Sequence, residues 1–407
     1  MKFTEGGVTA AKGFEAAGAE AQIKYKNRMD MALVYSKVPC VSAGTFTSNV
    51  VKAAPVLWDK NIVDTKETAQ AVVVNSGIAN ACTGKQGMDI CKKEAECAGR
   101  LLGIPADAVL VASTGVIGMQ IPEDRICAGI EKLAAAKTDT LKAGNDAARA
   151  IMTTDTVFKE VAVEIELSGK KVTLGGMCKG SGMIHPNMCT MLGFVTTDAA
   201  ISKELLVKAV KKDVIDSFNM ISVDGDTSTN DTLLVLANGM AKNPVITEEN
   251  EDYKVFCEAL HAVTTTLAKK MAGDGEGATA LFETKVIHAD TKQNARILAK
   301  SVICSSLTKA AIFGHDANWG RILCALGYSG VNFDPENVDL YFEAEGKKMA
   351  IFGKGVACDY SEEEASAILS CKEVTALVDM HMGEESATAW GCDLSYDYVK
   401  INADYRS

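Results

Sequence analysis

The chain has 407 residues, with 42 Lys and Arg against 53 Asp and Glu, a net charge of −11. That balance excludes a general nucleic-acid binder, which needs a basic face to displace counterions from phosphates. Hydrophobic residues at 47% and charged residues at 23% exclude wholesale disorder and supply ample material for a core. No apolar run approaches the roughly 18–20 residues that span a bilayer, and Met1–Gly7 carries no apolar signal region. Thirteen scattered cysteines without a C-x-x-C pair read as thiols of a reducing cytoplasm. Five histidines with no H-x-x-x-H spacing give no expectation of a metal site.

Strand and helix signals alternate along the chain, which predicts an α/β protein. Ala71–Asn75 is a short apolar run stopped by Ser76-Gly77, a buried strand, and Lys85–Leu102 follows with helical spacing. Ala108–Ala112 is a second buried strand, broken by Ser113-Thr114-Gly115. Val161, Val163, Ile165 and Leu167 alternate with smaller or polar residues, and Ser168-Gly169-Lys170 turns that strand back into Lys171–Leu174 as a hairpin. A glycine-rich stretch, Gly175–His185, leads to a strand over Thr190–Thr197. Amphipathic spacing predicts a helix over Lys203–Phe218, a polar loop over Asp224–Asp231 and a helix over Tyr253–Met271. Gly273–Gly277 is a loop without the G-K-[ST] ending of a nucleotide cradle. A strand over Ala278–His288, a helix over Thr291–Cys304 and a short helix over Trp319–Leu326 come next. Val338–Ala344 with Lys348–Gly353 forms a second hairpin, Ser361 with Glu364 suits a helix N-terminus, and Tyr398–Asn402 reads as a final strand.

Lys179–Thr190 is the most informative segment. Glycines around one lysine, followed by Pro186, imply a fixed backbone path into a buried strand that Thr190 opens. By propensity alone Thr190 is an ordinary β-branched strand residue. The chemical alternative is an N-terminal nucleophile freed by self-cleavage. Its own α-amine, with a pKa near 8, then serves as the base that the hydroxyl needs.

Lys179–Thr190, Ser113–Gly118, Asn75–Asn80, Gly273–Gly277, Gly314–Arg321 and the ending Lys400–Ser407 together resemble the glutamate N-acetyltransferase/ornithine acetyltransferase family of arginine biosynthesis. The resemblance implies N-terminal-nucleophile-like sheets layered between helices. It also implies self-cleavage into two interleaved chains, 1–189 and 190–407. Cys189 stands at the scissile bond where the family usually has alanine, and Ser407 ends the chain where many relatives have threonine. The catalytic residues carried over are the nucleophile Thr190 and the oxyanion pair Thr114 and Gly115. The substrate residues are Thr153, Lys179, Thr190, Glu276, Asn402 and Ser407. Expected substrates are N-acetylornithine and glutamate, in ping-pong transfer through an acetyl-threonine ester, with assembly as two copies of each fragment. No cofactor or metal is implied; acetyl-CoA is a co-substrate for some members of the family only. His185 and His315 lack an acid at a recognisable spacing and read as structural. Two other readings stay open on the residues themselves: a self-processing threonine amidohydrolase or aminopeptidase, and a non-enzymatic binding protein.

Overall fold

The computed structural model describes residues 1–185 and 191–404. Contacts divide them into two compact units. Unit one takes residues 1–180, 186–219 and 227–267, and unit two takes 181–185, 220–226 and the chain from 268 onward.

Unit one is built on a nine-stranded sheet. Its strands are β1 (Lys2–Thr4), β2 (Phe14–Ala19), β3 (Met31–Phe46), β4 (Thr68–Ile78), β5 (Val109–Val116), β6 (Lys159–Leu167), β7 (Lys170–Lys179), β8 (Leu192–Thr197) and β9 (Thr232–Ala237). The order is β1-β6-β7-β8-β9-β3-β4-β5, with β2 also paired to β3. Its helices are α1 (Ala54–Thr65), α2 (Gly84–Leu102), α3 (Glu123–Ala136), α4 (Leu141–Ala150), α5 (Lys203–Asp213) and the first part of α6 (Glu251–Gly273).

The period-two alternation of the strands sorts residues onto two buried faces. Val72, Val74, Leu110 and Ala112 pack with Ala147, Ala148 and Ile151 of the α4 region. Ala71, Val73, Val109 and Val111 pack with Ile90, Cys91 and Ala98 of α2 and Ile126 and Ile130 of α3. At about 25 cal/mol per Å² of apolar surface removed from water, these two clusters are the main support of the sheet. β6 and β7 form the expected hairpin, paired from Lys159↔Cys178 to Leu167↔Lys170. Ser168 (φ +47°) and Gly169 (φ +75°) make the two-residue turn.

Unit two carries a six-stranded sheet made of β10 (Leu281–Ala289), β11 (Asp339–Ala344), β12 (Lys347–Gly353), β13 (Val356–Ala357), β14 (Glu373–Asp379) and β15 (Glu385–Cys392). The order is β13-β12-β11-β14-β10-β15. The helices are α7 (Lys292–Cys304), α8 (Ser306–Phe313), α9 (Trp319–Gly327), α10 (Glu362–Leu369) and α11 (Tyr396–Ala403). The second hairpin forms between β11 and β12. Ser361 Oγ accepts the Glu364 N–H at the start of α10.

The mixed α/β class expected from the sequence is what both units show. Four elements differ. β4 and β5 continue through Ser76-Gly77 and Ser113-Thr114-Gly115, where the sequence predicts that they stop. The helix from Lys203 stops at Asp213, and a 3₁₀ turn holds Phe218–Met220. The expected strand over Tyr398–Asn402 lies within helix α11, with Tyr396 and Val399 exposed. With no strand paired to it among the described residues, the segment satisfies its backbone groups locally as a helix. No helix of the described residues is long and apolar enough to cross a membrane.

Candidate functional site

In unit one the expected oxyanion residues lie at the end of β5. β4 and β5 run parallel, pairing Ser76 with Thr114 and Gly77 with Gly115, and the ladder becomes irregular at Gly77 and Ile78. Gly115 holds φ +131° and Gly77 φ +105°, conformations open to glycine and strained for other residues. A Cβ on Gly115 would stand 2.2 Å from the Gly77 carbonyl carbon, so the two backbones approach as only glycine permits.

A second group gathers at the end of β7. The Asp155 carboxylate accepts the Thr153 N–H at 3.0 Å, the Gly180 N–H at 2.7 Å and Lys159 Nζ at 2.7 Å. Lys179 Nζ stands 4.0 Å from its other oxygen. Asp155 and Lys159 have no exposed side-chain surface, and the Lys179 side chain keeps 9%. Burial pushes the Asp155 carboxyl up, but the Lys179 and Lys159 charges, with the Lys159 and Gly180 hydrogen bonds, outweigh it and hold it far below the carboxylate range. Thr153 and Lys179 are thus brought together by Asp155. The sequence reading missed this residue, whose only local signal is its place two positions after Thr153.

A third group connects these ends. Asn230 Nδ2 donates to the Ser113 carbonyl at 2.8 Å and the Ala79 carbonyl at 2.5 Å. Two residues on, the Thr232 N–H donates to the Met191 carbonyl at 2.8 Å, and Lys179 pairs in register with Leu192. The segment 230–232 therefore fixes both the residue before Thr114 and the residue after Thr190. Burial pushes the Asp231 carboxyl well above its ordinary value. Its Oδ2 is buried without a hydrogen-bond partner among the described residues. Cys189, Thr190 and Ser407 lie outside the described residues.

In unit two, Glu276 is buried and its Oε2 accepts Asn402 Nδ2 at 2.7 Å. The Glu276 N–H donates to the Ser181 carbonyl at 3.0 Å. A Cβ on Gly182 would meet the Glu276 carboxylate at 2.3 Å, so that glycine makes room for the acid. The Asp224 carboxylate accepts the Met183 and Ile184 N–H groups at 2.6 and 2.9 Å, and Ile184 returns its carbonyl to the Val223 N–H. The polar loop from Asp224 is thereby a clamp on the chain upstream of Cys189. His185 Nδ1 faces Ser222 Oγ at 3.0 Å and Cys304 Sγ at 3.6 Å. Burial and the Lys300 charge push it down to about 4, so it is neutral at pH 7. His315, at φ +53°, closes α8 through its N–H to the Ile312 carbonyl.

A cavity of about 640 Å³ in unit one, lined by Gln86, Asp89, Lys93, Gln120 and Glu123 among others, includes none of these residues.

The comparisons with known proteins give the family. The ArgJ family model matches residues 15–407. The arginine biosynthesis bifunctional protein ArgJ of Symbiobacterium thermophilum is 54% identical over 409 residues, covering 100% of both chains. Arginine biosynthesis bifunctional protein ArgJ 1 of Clostridium acetobutylicum is 52% identical over 402 residues, 98% of this chain and 97% of that one. The crystal structure of the arginine biosynthesis bifunctional protein ArgJ from Bacillus halodurans is 46% identical, with a TM-score of 0.51. The match covers 53% of this chain and 99% of that chain.

Proposed function

The chain belongs to the ArgJ family, and on that premise we propose that it is an ornithine acetyltransferase that moves the acetyl group of N-acetylornithine to glutamate in arginine biosynthesis. The observation that carries the reading is the buried group at the end of β7. One carboxylate, Asp155, lies against two ammonium groups, Lys159 and Lys179, and brings Lys179 to the end of the strand beside Thr153. A buried cation at the rim of a sheet is suited to a substrate α-carboxylate, and the Thr153 hydroxyl adds a donor.

Self-cleavage comes first. Thr190 Oγ attacks the Cys189 carbonyl carbon, the amide becomes an ester, and water releases residues 1–189 from residues 190–407. Two facts support this step. β7 and β8 lie on opposite sides of the scissile bond in sequence yet pair in one sheet, so both fragments remain held. The 53% share of this chain matched by the full Bacillus halodurans chain is close to the share that follows Cys189.

In transfer, the freed Thr190 α-amine takes the hydroxyl proton as Oγ attacks the acetyl carbonyl. The Thr114 hydroxyl and Gly115 N–H donate to the oxyanion, a contribution of about 2.7–4 kcal/mol per donor in well-studied cases. The C–N bond breaks, the amine takes the proton and leaves as ornithine, and an acetyl-threonine ester remains. The glutamate amine then attacks the ester, and N-acetylglutamate departs. Glu276, held by Asn402, and the Ser407 carboxylate are the acids that the resemblance assigns to the substrate. Two copies of each fragment form the particle. The twelve described cysteines are free thiols, a state that a reducing cytoplasm preserves.

The test is ornithine release from N-acetylornithine with and without glutamate. Transfer predicts one ornithine per active site without glutamate, and steady turnover with equal N-acetylglutamate once it is added. Steady turnover without glutamate would replace this reading with an amidohydrolase. A parallel arm with acetyl-CoA and glutamate decides whether acetyl-CoA is a co-substrate, by the presence or absence of N-acetylglutamate.

A further inference from the structure

Three neighbouring strands of unit two end on a cluster unrelated to acetyl transfer. β11, β14 and β10 lie side by side, and their registers oppose Asp339 to Asp379 and Ile287 to Asp379. Two carboxylates directly across a strand pair repel each other unless a cation stands between them. Two imidazoles converge there. His288 Nδ1 lies 2.8 Å from Asp379 Oδ1, and His381 Nδ1 lies 3.4 Å from the same atom. One donor atom from each of the three residues falls within 4.8 Å of the others.

From this geometry we propose that His288, Asp379 and His381 form a binding site for a divalent transition-metal ion of the zinc class. Donors at about 2.0–2.1 Å around a tetrahedral ion stand about 3.3 Å apart. The observed separations bracket that value, so the donors close on an ion with small side-chain adjustments. Two histidines and one carboxylate suit zinc, with nickel and cobalt as competitors, and they leave a further position for water.

The outer partners are also in place. Asp339 Oδ2 lies 2.8 Å from His381 Nε2. A carboxylate holding the distal nitrogen fixes the ring and leaves Nδ1 to face the ion, the carboxylate–histidine–metal arrangement. The backbone is set to match. His288 sits at φ +54°, where the β10–β15 register shifts, and His381 at φ +48°. The Met382 and Gly383 N–H groups both donate to the His288 carbonyl, at 2.7 and 2.9 Å, which ties the two segments together. Left-handed conformations at two histidines carry a strain that these ties maintain.

Asp379 and His381 are close in sequence, but His288 is 91 residues from Asp379 and meets them only through the parallel register, so the sequence gives no hint of the site. The site is at the far end of β10 from the loop carrying Glu276. His288 is seven residues beyond Leu281, about 23 Å of strand. A bound ion therefore staples β10 to the segment after β14 and leaves acetyl transfer to other residues.

The test strips the full-length purified protein with a chelator and titrates it with Zn²⁺ by calorimetry, and with Co²⁺ by visible absorption. His288→Asn and His381→Asn remove each imidazole with a residue that tolerates left-handed backbone. One ion per chain with micromolar affinity is expected, weakened at least 10-fold in each variant, with Asp339→Asn weakening it about 10-fold. Zn²⁺ should raise Tm in the parent and much less in the two histidine variants. The Co²⁺ spectrum should show d–d bands without thiolate charge transfer. Equal affinity in parent and both histidine variants, no binding in the parent, or a thiolate-dominated spectrum would each overturn the proposal.

Discussion

Gly115, at the end of β5, and Gly118, just beyond it, stand three residues apart, and their surroundings separate a steric requirement from a conformational one. A methyl on Gly115 collides with the Gly77 backbone at 2.2 Å, whereas one on Gly118 (φ +84°) meets nothing within 4 Å. On the proposed role of its N–H as an oxyanion donor, Gly115→Ala should lower kcat at least about 100-fold with circular dichroism unchanged. Gly118→Ala should cost about 1 kcal/mol of stability and leave kcat within about 2-fold. Asp155 gives a second contrast. Asp155→Asn leaves two buried ammonium groups without their carboxylate and should cost about 3–5 kcal/mol in urea unfolding. Lys179→Met keeps the Asp155–Lys159 pair and should raise KM for N-acetylornithine at least about 10-fold with a smaller change in stability. Because the Asp155 pKa is lowered on folding, its stabilisation is complete above the unfolded value near 3.9 and is lost only as pH falls through the folded one. Gly115 stood out in the sequence as a glycine after the buried run Ala108–Ala112, but its assignment to the oxyanion came only from the family resemblance. Asp155, Asn230 and Asp224 did not stand out, because each acts on backbone groups of distant segments and only the fold creates those pairs.

Helices α1 and α2 bury two acids behind β5. Asp59 Oδ1 accepts the Val111 N–H at 2.8 Å, while Asp59 Oδ2 and Glu94 Oε1 are buried without hydrogen-bond partners among the described residues. Burial pushes Glu94 up to about 8, and burial with the Glu94 charge pushes Asp59 well above the carboxylate range. A carboxyl whose pKa is raised on folding gives its full stability below the unfolded value of about 4.3. It loses that stability as pH rises through the folded value, here between about 4.3 and 8. Glu94→Gln should therefore raise Tm at pH 8 by at least about 2–4 °C, with the difference vanishing toward pH 4, as read by calorimetry. Long periodic elements such as β4, β6–β7 and α2 were readable because burial on one face, or on both, writes itself into spacing. Tyr398–Asn402 was misread because its apolar residues alternate like a strand, yet no strand among the described residues pairs with it.

For the whole molecule, the proposed cleavage and catalysis are one chemistry at Thr190, so on that proposal both report on the same group. The paired β7 and β8 would keep the two fragments in a single sheet once the bond between them is cut. The α/β class and the grouping of Lys179 with Thr153 followed from sequence and resemblance. The division into two compact units did not, because unit one draws on residues from both sides of Cys189. The most direct measurement is the intact mass of the denatured protein before and after exposure to N-acetylornithine without glutamate. The account predicts fragments of roughly 20 and 23 kDa, the larger beginning Thr-Met-Leu-Gly and gaining about 42 Da as the acetyl ester forms. A single 43.1 kDa species, or two fragments of which neither gains an acetyl group, would contradict it.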